Sequence, residues 1–130
     1  MAATAKSVTE EQTIGYARER LEEWGQWLRN LRGVRLGYAS HAACVIERVD
    51  NDHSEPALPM DDASNERAEE IEAIMCRLAE RAQSLHRALV EWYAVGSTQD
   101  SAAQACGCSV SMYKALRKTG EMWVAARLLG

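Results

Sequence analysis

Polar and basic side chains that could contact a nucleic acid occur together with turn signals in one stretch of the chain, Gln99 to Lys118. Within it, Gly107 stands where a tight turn between two helices needs a positive φ. Ala103, four residues earlier, is small enough for two helices to cross closely. Ser109 is a good N-cap for a second helix, because its hydroxyl can accept a hydrogen bond from an unpaired backbone N–H. This pattern predicts a helix-turn-helix; an ordinary helical hairpin is the alternative, since it uses the same glycine and periodicity.

Apolar and amphipathic side chains in this stretch recur at the spacing that would face the packing side of two helices. Tyr113 stands where a β-branched aliphatic residue is more usual. Two cysteines flank the turn glycine, where small apolar side chains are wanted, so burial explains them. The inward-facing residues are predicted to be Cys106, Cys108, Tyr113 and Leu116.

In a helix-turn-helix, the exposed face of the second helix enters the major groove of DNA. Ser111 and Met112 lie early in that helix, where base edges are reached, and Arg117 could pair with guanine if it points inward. Lys114 and Lys118 suit phosphate contacts, which position the protein without specifying a sequence. The N-terminus of the first helix is a further candidate, because backbone N–H groups at a helix start often bind a phosphate. The alternative for the whole set is a basic face that is merely solvated. The candidate DNA-binding residues are Thr98, Gln99, Ser109, Ser111, Met112, Lys114, Arg117 and Lys118.

Metal and catalytic chemistry find little support in the sequence. Cys106-x-Cys108 has the wrong spacing for a zinc knuckle, and His41, Cys44 and His53 lack the usual paired ligands. No nucleophile elbow, phosphate loop or H-E-x-x-H motif occurs, and His86 suits a packed or capping role. We therefore expect neither an enzyme nor a cofactor. A solvated helix N-terminus, where the dipole favours negative charge, explains the acidic run Asp61, Asp62, Glu66, Glu69, Glu70 and Glu72.

The length and composition of the chain suit one small domain. Its 130 residues can bury a modest core without disulfides or metal. No apolar run approaches the roughly 20 residues of a membrane span, and no secretory segment follows the start. Four cysteines in such a chain suit a reducing compartment as buried thiols. A cytoplasmic location is therefore expected.

Charge is distributed unevenly along a chain whose formal net charge is −4. Residues 50–80 hold ten acidic residues and two arginines, a local charge of −8. Residues 29–48 hold four arginines and one glutamate, or +3, and residues 97–130 hold four basic and two acidic residues, or +2. Two mildly basic regions around an acidic one predict weak, salt-sensitive DNA binding. A partner that holds the protein in place would compensate for that weakness.

The first third of the chain is predicted to hold one long helix. A tail over residues 1–8 precedes it, Thr9 begins it with a capping arrangement, and Gly33 ends it. Trp27 lies off the centre of its apolar face and is expected to be partly exposed. Residues 35–48 are ambiguous, with a short helix around 39–47 as one interpretation, and residues 50–62 form a loop with both prolines. The core-facing stripe of the helix is Ile14, Ala17, Leu21, Trp24, Leu28 and Leu31.

A second long helix is predicted over residues 63–95, broken once near Gln83-Ser84 and ended by Gly96. Its apolar positions repeat every seven residues over only about three to four repeats, which favours a bundle core over a coiled-coil seam. These positions are Ile71, Met75, Leu78, Ala82, Leu85, Leu89 and Trp92.

The second helix of the helix-turn-helix is expected to continue to Leu129 through Gly120, with Met122, Trp123, Ala126 and Leu129 packing back on the core. No segment has a convincing strand period. The fold class is therefore predicted to be all-α, a small helical bundle (residues 9–95) followed by a C-terminal helix-turn-helix region (residues 96–130).

Three blocks of sequence resemble the late-gene antitermination protein Q family of lambdoid phages, in its short form without a zinc insertion. The first is Leu21-Glu-Glu-Trp24-Gly25-Gln-Trp27, similar to the family's L-x-x-W-G-x-W. The second is the acidic pair Asp61-Asp62 with Ala63 before the central helix. The third begins at Leu85-His86-x-x-Leu89-Val90-x-x-Tyr93 and continues through Gly96 to Ser109, Tyr113, Leu116 and Lys118. Residues 35–59 match poorly.

The resemblance implies a specific activity. Family members bind a DNA element near the phage late promoter and engage host RNA polymerase paused there with its sigma factor. They then travel with the enzyme and make it ignore terminators and pauses; in the best-understood members the protein narrows the RNA exit channel. The resemblance also implies a helix-turn-helix like that of sigma region 4. An N-terminal surface of tryptophans and arginines is a candidate polymerase contact: Trp24, Trp27, Arg29, Arg32 and Arg35.

Two other functions remain open at this point. One is a simple helix-turn-helix regulator that changes initiation only. The other is a helical interaction module without a DNA function, in which the seven-residue repeat would be a dimer interface and the basic face merely solvated. Self-association is part of that alternative.

Overall fold

Every element of the computed structural model is helical within the residues that it describes, 10–30 and 62–129. No strand occurs in these two ranges, so the all-α class is confirmed for them. None of their helices is both long and apolar enough to cross a membrane. The elements are α1 (Glu10–Asn30), α2 (Asp62–Arg81), α3 (Gln83–Leu89), a π-helical segment (Val90–Val95), α4 (Gln99–Cys106) and α5 (Val110–Leu129).

Several of the sequence predictions lie outside the described residues. They concern the tail 1–8, the ends of the first helix at Thr9 and Gly33, the segment 35–48, and the proline-containing loop as far as Asp61. The same holds for the side chains of Leu31, Arg32, Arg35, His41, Cys44 and His53.

Helix α1 buries the apolar stripe that the sequence predicts. Its exposed fractions range from 0 to 4% at Ile14, Ala17, Leu21, Trp24 and Leu28. The stripe packs against α2, α5 and the π-helical segment. The core-facing interpretation of α1 is therefore confirmed for the described part of the stripe.

The central helix is interrupted at Ala82, one residue before the predicted break, where φ of −150° and ψ of 78° leave the helical region. The seven-residue repeat faces other helices of the same chain, as a bundle core does. Buried members of the repeat are Ile71, Met75, Leu78 and Leu89, and half-buried members packed on the core are Ala82, Leu85 and Trp92.

A wide turn ends the central helix, which the sequence did not indicate. Over Val90–Val95 the backbone is π-helical, and Gly96 closes it with φ of 79° while its N–H donates to the carbonyl of Glu91. The predicted stop at Gly96 is therefore confirmed. π-Helical turns are rare and occur mostly as single-turn insertions in α-helices.

Helix α1 lies unusually close to this wide turn. A Cβ added to Gly25 would stand 2.1 Å from the carbonyl oxygen of Tyr93. One turn further along α1, Arg29 Nη1 donates to the carbonyl oxygens of Tyr93 and Ala94, at 3.3 Å each. Carbonyls near the end of the π-helical segment, where a helix leaves its last carbonyls without helical partners, thus accept hydrogen bonds from α1.

Helix α5 continues through Gly120 to Leu129 as predicted, but it buries a different face. Met122 and Leu129 are 42% and 56% exposed, and Ala126 is exposed as well. The prediction that these three pack on the core is wrong, whereas Trp123 does pack against it in part. The opposite face is buried instead: Val124 and Ala125 lie in the core, and Tyr113 and Glu121 have buried hydrogen-bond partners. The buried residues of α5 are Tyr113, Gly120, Glu121, Val124 and Ala125.

Candidate nucleic-acid interface

Helix α4 is bounded by two local signals that the sequence carries. Thr98 is the extended N-cap, and its hydroxyl accepts a hydrogen bond of 3.2 Å from the backbone N–H of Ser101. At the other end Gly107 adopts φ of 69°. Its N–H donates to Gln104, and the next N–H, of Cys108, donates to the carbonyl of Ala103, at 3.0 Å each. This pair of hydrogen bonds is a Schellman motif, and the predicted positive φ at Gly107 is confirmed.

Helix α5 starts at the N-cap that the sequence predicts. Ser109 is exposed, and its Oγ accepts a hydrogen bond of 3.1 Å from the backbone N–H of Met112. Its carbonyl accepts the first helical bond, from Tyr113, at 2.8 Å. The short turn between α4 and α5 is therefore fixed at both ends by side-chain and backbone hydrogen bonds.

The inner side of the α4–α5 pair is a small core of its own. Tyr113 is fully buried among Ala88, Ala102 and Ala103, and its hydroxyl donates 2.8 Å to the carbonyl of Ala88. Burial raises the pKa of Tyr113 above its usual value. Half-buried Cys106, Cys108 and Leu116 pack against this cluster, so the predicted packing face is confirmed. Tyrosine serves here because its hydroxyl reaches a carbonyl of α3, which an aliphatic side chain could not do.

The outer side brings five of the predicted DNA-binding residues together on the first turns of α5. Ser109, Ser111, Lys114 and Lys118 are exposed, and Met112 is 54% exposed. On α4, Thr98 is exposed and Gln99 is half-buried. We call the five residues Ser109, Ser111, Met112, Lys114 and Lys118 the outer face of α5.

Arg117 does not belong to this outer face. Its guanidinium lies over the ring of Trp92, 4.0 Å from the centroid, and its Nε is 3.8 Å from a carboxylate oxygen of Glu121. Only 17% of its side chain is exposed. The expected guanine contact is therefore corrected to a packing role, because the guanidinium of Arg117 stacks on Trp92 and faces the carboxylate of Glu121.

A buried carboxylate, Glu121, ties α5 to the rest of the bundle. It is 1% exposed and accepts a hydrogen bond of 3.0 Å from Arg18 Nε of α1 and another from the Tyr93 hydroxyl. Burial and this carboxylate raise the pKa of Tyr93 above its usual range. Sequence reasoning missed the network, because single charges spaced along a helix normally indicate solvent exposure.

The burial of Glu121 also changes the charge of the outer face. Glu121 is the one acidic residue of α5. Its carboxylate is turned inward between Arg18 and Arg117, so the exposed charges of α5 near the outer face are those of Lys114 and Lys118. Because Arg117 is withdrawn together with Glu121, the exposed net charge of this region stays at the sequence count, but the outer face itself carries only positive charge.

The described residues of the N-terminal candidate polymerase surface, Trp24, Trp27 and Arg29, pack against or bind other parts of the protein. Trp24 is fully buried, and its Nε1 donates 3.0 Å to Glu72 Oε1 of α2, so its assignment to a partner surface is wrong. Trp27 is half-buried, as expected for its place off the stripe's centre. Arg29 binds the carbonyls of the π-helical segment. Arg32 and Arg35 lie outside the described residues.

The acidic run on α2 is only partly a solvated helix end. Glu70 forms an ion pair with Arg20, and Glu72 accepts from Trp24, so both join α2 to α1. Among residues 10–30 and 62–129, no group of three His, Cys, Asp or Glu side chains is placed to hold a metal ion. Cys76 is a free thiol, whose pKa burial and the nearby Glu72 raise to about 11.

A comparison of the chain with protein-family models, with curated proteins and with solved structures finds no match. Function is therefore inferred from the geometry of the α4–α5 pair and from the resemblance of the three sequence blocks.

Proposed function

We propose that this protein is a DNA-binding transcription antitermination factor that acts on bacterial RNA polymerase. The observation that carries the DNA-binding part is the outer face of α5, which is exposed and cationic. It lies at the N-terminal end of α5, whose position is fixed by the Ser109 cap and by the Gly107 turn that follows α4. In this proposal, α4 and α5 are a helix-turn-helix, and α5 is its recognition helix.

The outer face offers both kinds of contact that a recognition helix makes, to base edges and to phosphates. Ser111 and Met112 lie in the first turn of α5 and would meet base edges in the major groove, by hydrogen bond and by apolar contact. Lys114 and Lys118, one turn apart, would hold phosphates on one side of the groove. The exposed N-terminus of α4 at Thr98 is a further place for a phosphate, because the first N–H groups of a helix lack intrahelical acceptors.

The resemblance to the antitermination protein Q family supplies the polymerase part of the proposal. Its first block holds Gly25 and its third block holds Tyr93, and these two residues meet where α1 approaches the π-helical segment. The matching blocks therefore build one structural unit next to the α4–α5 pair. The proposed location is the cytoplasm of a bacterial host, where the polymerase acts.

The charge of the protein also suits a factor that needs a second partner. Two lysines can neutralise only a few phosphates, and salt weakens such binding by competing for the DNA backbone. Binding to polymerase at the same time would raise the effective concentration of the protein at its DNA site. The acidic α2 and the net charge of −4 would keep non-specific DNA binding low.

Replacing Lys114 and Lys118 together by alanine is expected to reduce DNA affinity at least about tenfold at low salt and to lower the salt slope of log K by about 2, since each phosphate contact contributes about 0.9. A footprinting titration on DNA that carries a candidate phage late-promoter element measures both values. Arg77→Ala, which removes an exposed cation of α2, is the matched control and should change neither.

The same titration separates the proposal from a helical interaction module without a DNA function. In such a module the double variant would behave like the wild type, because the lysines would merely be solvated. Unchanged binding and salt slope in a variant that keeps its helix content would therefore contradict the DNA-binding proposal. A regulator of initiation only would share the footprint but leave elongation unchanged.

A further inference from the structure

Helix α5 carries a second exposed feature, a largely apolar stripe that extends from Met112 to Leu129. The stripe residues are separated by steps of three, four, three, four and three, which places them on one side of the helix. Three of the four exposed large apolar side chains in the described residues belong to it, with exposed fractions of 54% at Met112, 42% at Met122 and 56% at Leu129. The stripe consists of Met112, Ala115, Thr119, Met122, Ala126 and Leu129.

The spacing of the stripe matches the seam by which one helix packs on another. Alternating steps of three and four keep the same side of a helix toward a partner helix, with large and small side chains as knobs and holes. The first third of the stripe overlaps the outer face of α5. We therefore define the C-terminal stripe as Thr119, Met122, Ala126 and Leu129, which spans about 15 Å of helix.

The edges of the C-terminal stripe are cationic. Lys118 precedes it on one edge and is exposed. Trp123 forms the other edge, and the guanidinium of exposed Arg127 lies over its ring, 4.5 Å from the centroid. The only acidic residue of α5, Glu121, is buried and points inward. A partner with acidic side chains beside its apolar seam would complement these edges.

A second copy of this chain does not complement the stripe through the same face. In a two-fold symmetric contact the same patch meets itself. The contact would then bring Lys118 and Arg127 of both copies to one interface without an exposed acidic residue of α5 to balance them.

We propose that the C-terminal stripe is the docking surface for an amphipathic helix of a protein partner, with an apolar seam and acidic flanks. The inference goes beyond the proposed function and does not depend on DNA binding. It assigns the first turns of α5 to DNA and the last turns to an acidic helix, with Lys118 at the boundary between the two surfaces.

Two synthetic peptide helices of about three heptads test the docking surface. Both carry leucine at the seam positions; one has glutamate and the other lysine at the flanking positions. By fluorescence anisotropy with the full chain, the glutamate peptide should bind at least about tenfold more tightly, a difference of about 1.4 kcal/mol, and the preference should shrink as salt rises.

The double variant Met122→Gln, Leu129→Gln should weaken binding of the glutamate peptide at least about tenfold and leave the DNA affinity unchanged. Ala73→Gln, at an exposed position of α2, is the matched control and should bind both peptides like the wild type.

Four results would overturn the docking proposal. One is equal affinity for the two peptides, and a second is affinity that the Met122, Leu129 variant retains. Another is self-association of the wild type, by sedimentation velocity, that the same variant abolishes, since the occupant would then be a second copy. The last is loss of DNA binding in that variant, which would assign the stripe to DNA. Failure of the wild type to bind DNA while the peptide preference persists would instead contradict the proposed function alone.

Discussion

Replacing Gly25 by alanine is expected to lower the free energy of unfolding by about 3 kcal/mol or more. The new Cβ would stand 2.1 Å from the carbonyl oxygen of Tyr93, well inside any allowed contact. The oxygen cannot move aside like the end of a flexible side chain, because it is backbone inside the π-helical segment. Arg29, on the same helix as Gly25, also holds it by a hydrogen bond. The clash can be relieved only by moving α1 off the core.

Gly15 offers a matched control on the same helix. A Cβ there would meet nothing within 4 Å, so Gly15→Ala should stabilise the protein by about 0.5 to 1 kcal/mol through helix propensity alone. Urea denaturation of the two variants gives both values under the same conditions. A Gly25→Ala protein within about 0.5 kcal/mol of the wild type would contradict the close approach of α1 to the π-helical segment.

Removal of the buried carboxylate is the other large effect: Glu121→Ala should cost about 3 to 5 kcal/mol. Glu121 accepts from Arg18 and from the Tyr93 hydroxyl, and it faces the guanidinium of Arg117. Alanine would leave the buried Tyr93 hydroxyl and the mostly buried Arg117 without this partner. An unpaired buried polar group costs far more than the bond itself contributes.

The partners of Glu121 should contribute unequally. The side chain of Arg18 is 48% exposed, so solvent screens its pair and it should add at most about 1 kcal/mol. Tyr93→Phe combined with Glu121→Ala should therefore show a larger coupling energy than Arg18→Ala combined with Glu121→Ala, measured by urea denaturation in double-mutant cycles. Glu69→Ala, an exposed acid of α2, is the control and should change stability by less than about 0.5 kcal/mol. A similarly small loss at Glu121 would contradict the buried network.

Features governed by local rules could be predicted from the sequence. The turn at Gly107 and the cap at Ser109 follow from the steric freedom of glycine and the reach of a short hydroxyl side chain. The buried stripe of α1 follows from regular apolar spacing without competing charges. The outer face of α5 was accessible to the same reasoning, since the turn fixes where the helix starts.

Features set by long-range packing could not be predicted. Helix α5 has two faces with seam-like spacing: an apolar one through Met122 and Leu129, and one that contains Arg117 and Glu121. The buried face contributes Tyr113, Val124 and Ala125 to the core. Its two charges are paired, since Glu121 lies against Arg117 and meets Arg18 of α1. Arg18 and the core neighbours of this face belong to other helices, so spacing along α5 alone does not show which face is buried.

Trp24 and the wide turn illustrate the same limit. The apolar spacing of α1 predicts that Trp24 is buried, but it does not show that the indole N–H donates to Glu72 on α2. The π-helical segment has no local sequence signal. The hydrogen-bond partner of its carbonyls is Arg29 of α1, which is far from the segment in the sequence. Both depend on which helix lies alongside.

Single-round transcription past a terminator tests the proposed antitermination most directly. The template carries the DNA that the protein protects in footprints, upstream of the terminator, and a matched template lacks it. With wild-type protein we expect readthrough to rise on the first template only, and the Lys114→Ala, Lys118→Ala variant should lose most of that gain. Termination that stays unchanged, with protein bound to its DNA and polymerase initiating from the adjacent promoter, would contradict the proposal.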